Sequence, residues 1–302
     1  MNAAISTRGR RGLWIFYVGL LVFLYAPILL LIVFSFNKRE FVSLPWEGFT
    51  LQWYHQFLQN QVILAALRTS LLVATCASIL TLVLSAPASI ALVRRKFFAK
   101  GAVTGFLMAP LVIPLIVFAL SLQVLLKWMG NVSETFVIPT LAPSKWAVVV
   151  GHAVIAMPFA ILVLVPRLER IPASIEEAGR DLGGGALRVF KDITLPLLWP
   201  ALLSAFVICF TISFDEIVIA SFISGEDTTL PLYIYSQLRL PQNLPEVIAM
   251  AVVVLVISGL VIFASEVLRR IAVRNLEEST KIHDADVVDA DDTTPIVAAG
   301  AA

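Results

Sequence analysis

Charge is what this chain has least of. Only 14% of its 302 residues are Asp, Glu, Lys or Arg, where a water-soluble domain of that length carries about a quarter. A larger core does not explain the deficit, because folded surface still needs polar cover. The solvent for most of the sequence is therefore lipid. Histidine and cysteine are also scarce: three histidines and two cysteines, Cys76 and Cys209, with both cysteines inside apolar runs. No CxxC, HExxH or Cys/His cluster occurs, which excludes a structural zinc site or a disulfide framework. There is no GxxxxGK[ST] either, so no nucleotide loop, and no internal repeat. We expect no catalytic residue, no metal, no cofactor and no nucleic-acid partner.

What the chain does have is long apolar runs. A helix needs about 20 apolar residues to cross the hydrocarbon core, and six stretches qualify: Leu13–Phe36, Ala65–Val93, Ala102–Leu126, Trp146–Pro166, Trp199–Ile223 and Val247–Val267. The first follows Arg8, Arg10 and Arg11, but it is too long for a signal-peptide core and no small-residue cleavage site follows. It reads as a retained span. The expected fold is all-α: a polytopic, six-helix transmembrane domain over 13–274, between a cytoplasmic segment 1–12 and a tail 275–302.

The basic residues set the orientation. With the N-terminus inside, 16 of the 22 Lys and Arg fall on the cytoplasmic side, among them Arg94, Arg95, Lys96, Arg167, Arg180 and Arg188. Only Lys38, Arg39, Arg68, Lys127, Lys145 and Arg239 fall outside or near the outer boundary. The first outer loop carries Trp46, Phe49, Trp53, Tyr54 and Phe57, which places it along the membrane surface at headgroup level. The tail is acidic, with Asp284, Asp286, Asp289, Asp291 and Asp292, lacks a helical period and reads as disordered.

One loop is too long and too polar for a simple turn. Arg167–Pro196 is patterned as two short helices on the cytoplasmic side. Ser174 and Glu177 have capping-box spacing, Ser174 capping the first helix and Glu177 bonding back to its backbone. Gly183-Gly184-Gly185 breaks the chain. A second amphipathic stretch follows, with Leu187, Phe190 and Ile193 on one face. Such a helix–turn–helix projects and fits a groove on a soluble partner; equally, Glu177 only caps and the glycines are only a flexible turn.

The spacing Glu177-Ala178-Gly179, three residues, Gly183, nine residues, Ile193, one residue, Leu195-Pro196 resembles the EAA loop of ABC importer permeases. Every interval agrees over 20 positions. The departure is Gly179, where alanine is usual, which softens the helix by about 1 kcal/mol. Leu51-Gln52-Trp53-Tyr54, Thr69-Ser70 (the family usually has Asn-Ser), Pro110, Pro114, His152 and Pro158 also fit. His152 by itself is more typical of a satisfied packing residue. The resemblance implies a subunit of a bacterial inner membrane importer with no ATPase site and with both termini cytoplasmic. Its implied partners are a cytoplasmic ABC ATPase dimer, a homologous second permease subunit or second copy, an external solute-binding protein and the lipid bilayer. It further implies that Glu176, Glu177, Ala178, Gly179, Asp181, Gly183, Leu195 and Pro196 form the ATPase-docking segment, with Glu177 the main contact.

Asp215 and Glu216 lie deep in the predicted fifth span. A carboxylate near the bilayer centre costs at least about 2.5–3.5 kcal/mol, and Asp215 is about 6 Å from the centre at about 1.5 Å per residue. Adjacent acids on a helix point about 100° apart, so at least one faces the pathway or a basic or hydroxyl partner on a neighbouring helix. Phe210, Phe214 and Phe222 supply cation–π faces, and the set suits a cation. The run Phe214-Asp215-Glu216-Ile217-Val218-Ile219-Ala220-Ser221-Phe222-Ile223-Ser224-Gly225, then Thr229-Leu230-Pro231, resembles the spermidine/putrescine permeases, most of all the second of their two permease subunits. Asp215, Glu216, Phe214 and Phe222 are thus the expected substrate pathway and a polyamine the expected cargo. Ferric-iron, opine and other permeases share parts of this run, and an ion-coupled secondary carrier is the alternative from another class.

Overall fold

The computed structural model describes residues 7–39, 45–133, 143–240, 243–264, 266, 267 and 270. The predicted acidic tail and residues 1–6 of the predicted N-terminal segment lie outside these. Among the described residues the chain is helical, with one antiparallel bridge between Asn37 and Phe49. The helices are α1 (Thr7–Phe34), α2 (Gln52–Gln59), α3 (Gln61–Arg94), α4 (Lys100–Met108), α5 (Leu115–Ser133), α6 (Lys145–Glu169), α7 (Ala173–Asp181), α8 (Ala186–Val189), α9 (Leu195–Phe214), α10 (Val218–Ile223), α11 (Leu230–Gln237) and α12 (Leu244–Ala264).

Five stretches are long and apolar enough to cross a bilayer: Arg10–Phe34, Gln61–Arg94, Lys145–Glu169, Ala186–Phe214 and Leu244–Ala264. A sixth span exists only if the pair Lys100–Leu111 and Leu115–Met129, bent by 101°, counts as one. The third span expected over Ala102–Leu126, with its two prolines, is thus sharply bent, the bend falling between Leu111 and Leu115. Pro110 and Pro114 remove two backbone donors within five residues and disfavour helical geometry just before each ring. A 3₁₀ turn at Ala109–Leu111 closes α4, and Val117 and Phe118 both donate to the Pro114 carbonyl to start α5. The fifth span is corrected at both ends. It begins at Ala186, not Trp199, and its helix stops at Phe214, so it does not reach Ile223.

By contacts the chain divides into two compact units. The first comprises the chain up to Leu72, Gln123–Val148 and Glu216–Gly259. Its core joins Phe57, Ile63, Ala66, Leu230, Val247 and Met250. The outer-loop aromatics differ in burial. Trp53 and Phe57, one helical turn apart on α2, are buried, whereas Phe49 is exposed. Trp53 Nε1 donates to the Asn37 carbonyl at 2.8 Å, and the Tyr54 and Ser35 hydroxyls lie 2.6 Å apart.

The second unit comprises Val73–Leu122, Val149–Asp215 and the chain from Leu260. Ala156, Ala160, Leu164 and Leu168 of α6 pack against Leu198, Leu202, Ala205 and Cys209 of α9. The small residues Ala156, Ala160, Ala205 and Cys209 let the backbones approach at one end, and leucines fill the other, which is how helices gain packing where no hydrophobic drive exists between them. Ser78, Thr81, Ser85 and Ser89 line a buried face of α3. The Thr81 hydroxyl donates to Ala77 O at 2.7 Å and reaches Ala153 O at 3.3 Å. His152 is fully buried with Nδ1 2.8 Å from the Ser213 hydroxyl, a packing role as its residue type implied.

Ser70 has a specific task in the first unit. Its hydroxyl accepts from the Leu230 amide at 2.7 Å, one of the orphan donors in the first turn of α11. Ser70→Ala leaves that N–H buried and unsatisfied, a loss of about 1–3 kcal/mol, read as a lower midpoint in thermal unfolding of the detergent-solubilised chain. Ser85→Ala, on the same helix, removes a buried hydroxyl with no hydrogen-bond partner and leaves the midpoint unchanged or raised.

Candidate functional site

The segment between α6 and α9 begins with a correction. Helix α7 starts at Ala173 behind an extended Pro172, with no side-chain cap. Ser174 therefore sits inside the first turn, out of register for the expected capping box, and both Ser174 and Glu177 are exposed. Proline suits this boundary because its missing N–H is one the helix start leaves unused.

The C-terminus of α7 is tightly built. Gly183 has φ of 83°, a left-handed conformation that suits glycine. Its amide donates to Arg180 O at 2.9 Å and the Gly184 amide to Gly179 O at 3.0 Å. This is a Schellman closure, which satisfies the last carbonyls of the helix. The glycine run is thus a defined turn. A Cβ on Gly184 would lie 2.6 Å from the Gly179 carbonyl oxygen. A Cβ on Gly179 would meet Ile193 Cδ1 at 2.6 Å, so the missing alanine methyl is replaced by the end of the Ile193 side chain.

After the turn, α8 does not end as a separate helix. It runs through a wide π-turn at Phe190–Thr194 into α9. Pro196 gives the reason: it has no N–H to offer the preceding turn, and its ring crowds the carbonyl one turn back, so the ladder opens by one residue. The predicted inward face is corrected with it. Leu187 is 79% exposed, and Val189 is buried in its place; Phe190 and Ile193 are half-buried.

The expected docking residues separate into two kinds. Glu177, Ala178, Asp181, Gly183 and Pro196 are exposed, and Gly179 and Leu195 half-buried. Glu176 is buried and turned away from them. Its Oε1 accepts from Arg94 Nε at 3.2 Å and Nη2 at 3.0 Å, and from the Thr194 hydroxyl at 3.2 Å. Arg94 Nη2 also donates to Ile171 O at 2.9 Å. The pair lies at 15% and 8% side-chain exposure, so it is little screened by solvent. Removing one partner of such a pair costs about 3–5 kcal/mol, because the other charge stays buried. Sequence reasoning missed Arg94, which beside Arg95 and Lys96 reads only as part of a basic loop. It also missed Leu182, 90% exposed, which with Leu187 gives the turn two uncovered apolar side chains.

The four expected pathway residues likewise do not form one set. Helix α9 ends at Phe214, so Asp215 and Glu216 are not on a continuous helix and the 100° argument does not apply. Glu216 is buried, and its carboxylate takes the Ile219 amide at 3.0 and 2.9 Å and the Ala220 amide at 3.3 Å. An anion at a helix start satisfies orphan donors and meets the positive end of the dipole. Asp215 is exposed. Phe214 is buried and stacked on Phe210 at 5.6 Å and 13°, so its face is occupied by a ring. Phe222 is half-buried, and its carbonyl accepts from Gln123 Nε2 at 2.8 Å. No group of three or more His, Cys, Asp or Glu that could hold a metal occurs among the described residues.

Residues 83–276 match the model of the binding-protein-dependent transport system inner membrane component family. The chain is 33% identical over 256 residues to the spermidine/putrescine transport system permease protein PotC of Escherichia coli strain K12, covering 84% of this chain and 92% of that one. It is 36% identical over 243 residues to the putrescine transport system permease protein PotI of the same strain, covering 80% and 84%. Among solved structures it resembles a chain of a bacterial ABC transporter involved in the import of the acidic polysaccharide alginate. That match has a TM-score of 0.65 at 18% identity, covering 89% of this chain and 99% of that one.

The turn geometry separates two substitutions of the same kind. Gly184→Ala puts a methyl against a backbone carbonyl and breaks the closure of α7, so limited proteolysis between Arg180 and Arg188 speeds up. Gly179→Ala displaces only the mobile end of Ile193 and gains about 1 kcal/mol of helix propensity, so cleavage there stays at the wild-type rate.

Proposed function

The chain belongs to the family of binding-protein-dependent transport system inner membrane components, and on that premise we propose that it moves a polyamine and meets its ATPase through α7 and the glycine turn. It is the transmembrane permease of an ABC importer, a multi-pass inner membrane protein that is not itself catalytic. An ion-coupled secondary carrier is thereby set aside.

The observation that carries the docking reading is the division between two adjacent acids. Glu176 is buried in an ion pair, and Glu177 is exposed on the other side of a capped helix. A partner surface reaching α7 meets Glu177, Ala178 and Asp181 as a polar patch and Leu182 and Leu187 as apolar anchors. The basic residues concentrated on this side of the sequence put the loop in the cytoplasm, where an ATPase dimer is the partner. A homologous permease subunit or second copy completes the path, and an external binding protein delivers the solute.

The cargo reading is supported by the two polyamine-system permeases at 33% and 36% identity. Asp215 supports it chemically: an exposed carboxylate where α9 ends is the kind of group that exchanges water for an ammonium. Glu216 and Phe214, already engaged, act by holding the break in shape.

Glu177→Lys inserts normally and loses ATPase co-purification; retention at the wild-type level overturns the docking reading. Asp215→Asn lowers spermidine or putrescine uptake into reconstituted vesicles about tenfold, equivalent to about 1.4 kcal/mol. The Glu216→Gln variant differs in kind, lowering the yield of folded protein. The external binding protein of the system, screened against solutes, binds polyamines; if it ignores them the cargo assignment fails.

A further inference from the structure

We propose that Arg94 and Glu176 form the clamp through which movement of α7 is delivered to the membrane helices, making both positioning residues for coupling. The proposal rests on the reading of α7 as the ATPase-facing helix. Four chain segments meet at the Glu176 carboxylate. It sits on α7; Arg94 is the last residue of α3; Ile171 lies in the corner after α6; Thr194 leads directly into α9. Oε1 alone takes both guanidinium contacts and the Thr194 hydroxyl, while Arg94 holds the Ile171 carbonyl.

The hydrogen bonds that tie α7 to α3 run through this pair. The N-terminus of α7 leaves through Pro172 and its C-terminus through Gly183–Gly185, and Gly179 packs on Ile193 and Val189 next to α9. The ion pair spans 82 residues of sequence and ties α7 to the end of α3, whose Leu82, Ala86, Ile90 and Val93 already pack on the α6–α9 core. Its charge matters as well as its shape. Glutamine at position 176 keeps an acceptor oxygen yet leaves the Arg94 guanidinium buried without a counter-charge. A load applied at Glu177 then moves α7 without carrying α3.

The test uses the complete transporter in vesicles, with ATP hydrolysed per solute imported as the readout and whichever solute loads the binding protein as cargo. Glu176→Gln and Arg94→Gln keep ATPase bound through Glu177 but raise that ratio several-fold. The charge-swapped double variant Arg94→Glu/Glu176→Arg brings it back toward wild type, as a double-mutant cycle requires of a direct pair. A merely structural role lowers the amount of assembled protein in all variants and leaves the ratio alone. An unchanged ratio in the assembled single variants, or a double variant no better than either, overturns the proposal. If the variants do not assemble, spin labels at Arg95 and Ser174, both exposed, decide it in a chain with Cys76 and Cys209 replaced by serine. Their separation stays constant between nucleotide-free and ATP-trapped states, and a resolvable change overturns the clamp. Failure of the docking reading shows separately, as ATPase retention by Glu177→Lys.

Discussion

Lipid offers no hydrogen bonds, so every interruption of a helix in this chain has to be closed from within the protein. The structure meets that constraint repeatedly with polar side chains, some local and some from distant parts of the sequence. Ser70 accepts the first amide of α11. Gln123 donates to the Phe222 carbonyl near the end of α10. Glu216 receives the first amides of α10, and Arg167 donates through Nε and Nη2 to the Leu197 carbonyl at 3.2 and 3.0 Å. The prolines and turns that shape the molecule are tolerated because these polar groups stand ready for the freed backbone. Several of the charged residues, such as Glu216 and Arg167, are therefore committed to backbone.

The same economy explains the stiffness of the α7 segment. A loop joined to the membrane helices only by a glycine turn would swing. Here the turn is closed by two amide bonds, packed by Ile193 where a methyl is missing, and pinned by Glu176 on its inner side. Gly179 was the place where the sequence match to the EAA pattern was imperfect. In the fold it is where the chain entering α9 comes closest to α7. The glycine and Ile193 complement one another, so the departure keeps the pattern's packing.

Much of this was legible in the sequence. Apolar run length found the spans, because a bilayer has one thickness and a helix one rise. The spacing from Glu177 to Pro196 found the short helix and glycine turn between α6 and α9, because a glycine turn is local chemistry. What escaped was decided at long range. Nothing between Glu176 and Glu177 says which one faces inward; the answer is Arg94, which reads as one of a run of cytoplasmic basics. The break at Asp215 was hidden for a related reason. Ser213 to Ile223 is apolar enough to pass as the end of a span, and only Glu216 folding over the Ile219 and Ala220 amides makes a stop there stable. The aromatic outer loop shows the same limit: its composition does not say which rings are covered, and the fold buries Trp53 and Phe57, which share a face of α2.

These assignments narrow what the fold can contribute to selecting a solute. The helix arrangement is shared with a chain of a transporter at only 18% identity, so the arrangement by itself says little about which solute is selected. Selection has to come from groups whose solvation changes when cargo arrives. Glu216 is ill suited, since both its oxygens already hold backbone amides and binding a cation would mean releasing the start of α10. Phe214 is equally committed, its face stacked on Phe210. Asp215, by contrast, is exposed where α9 ends. A buried acid that holds the backbone thus stands next to an exposed one, the same division found at Glu176 and Glu177.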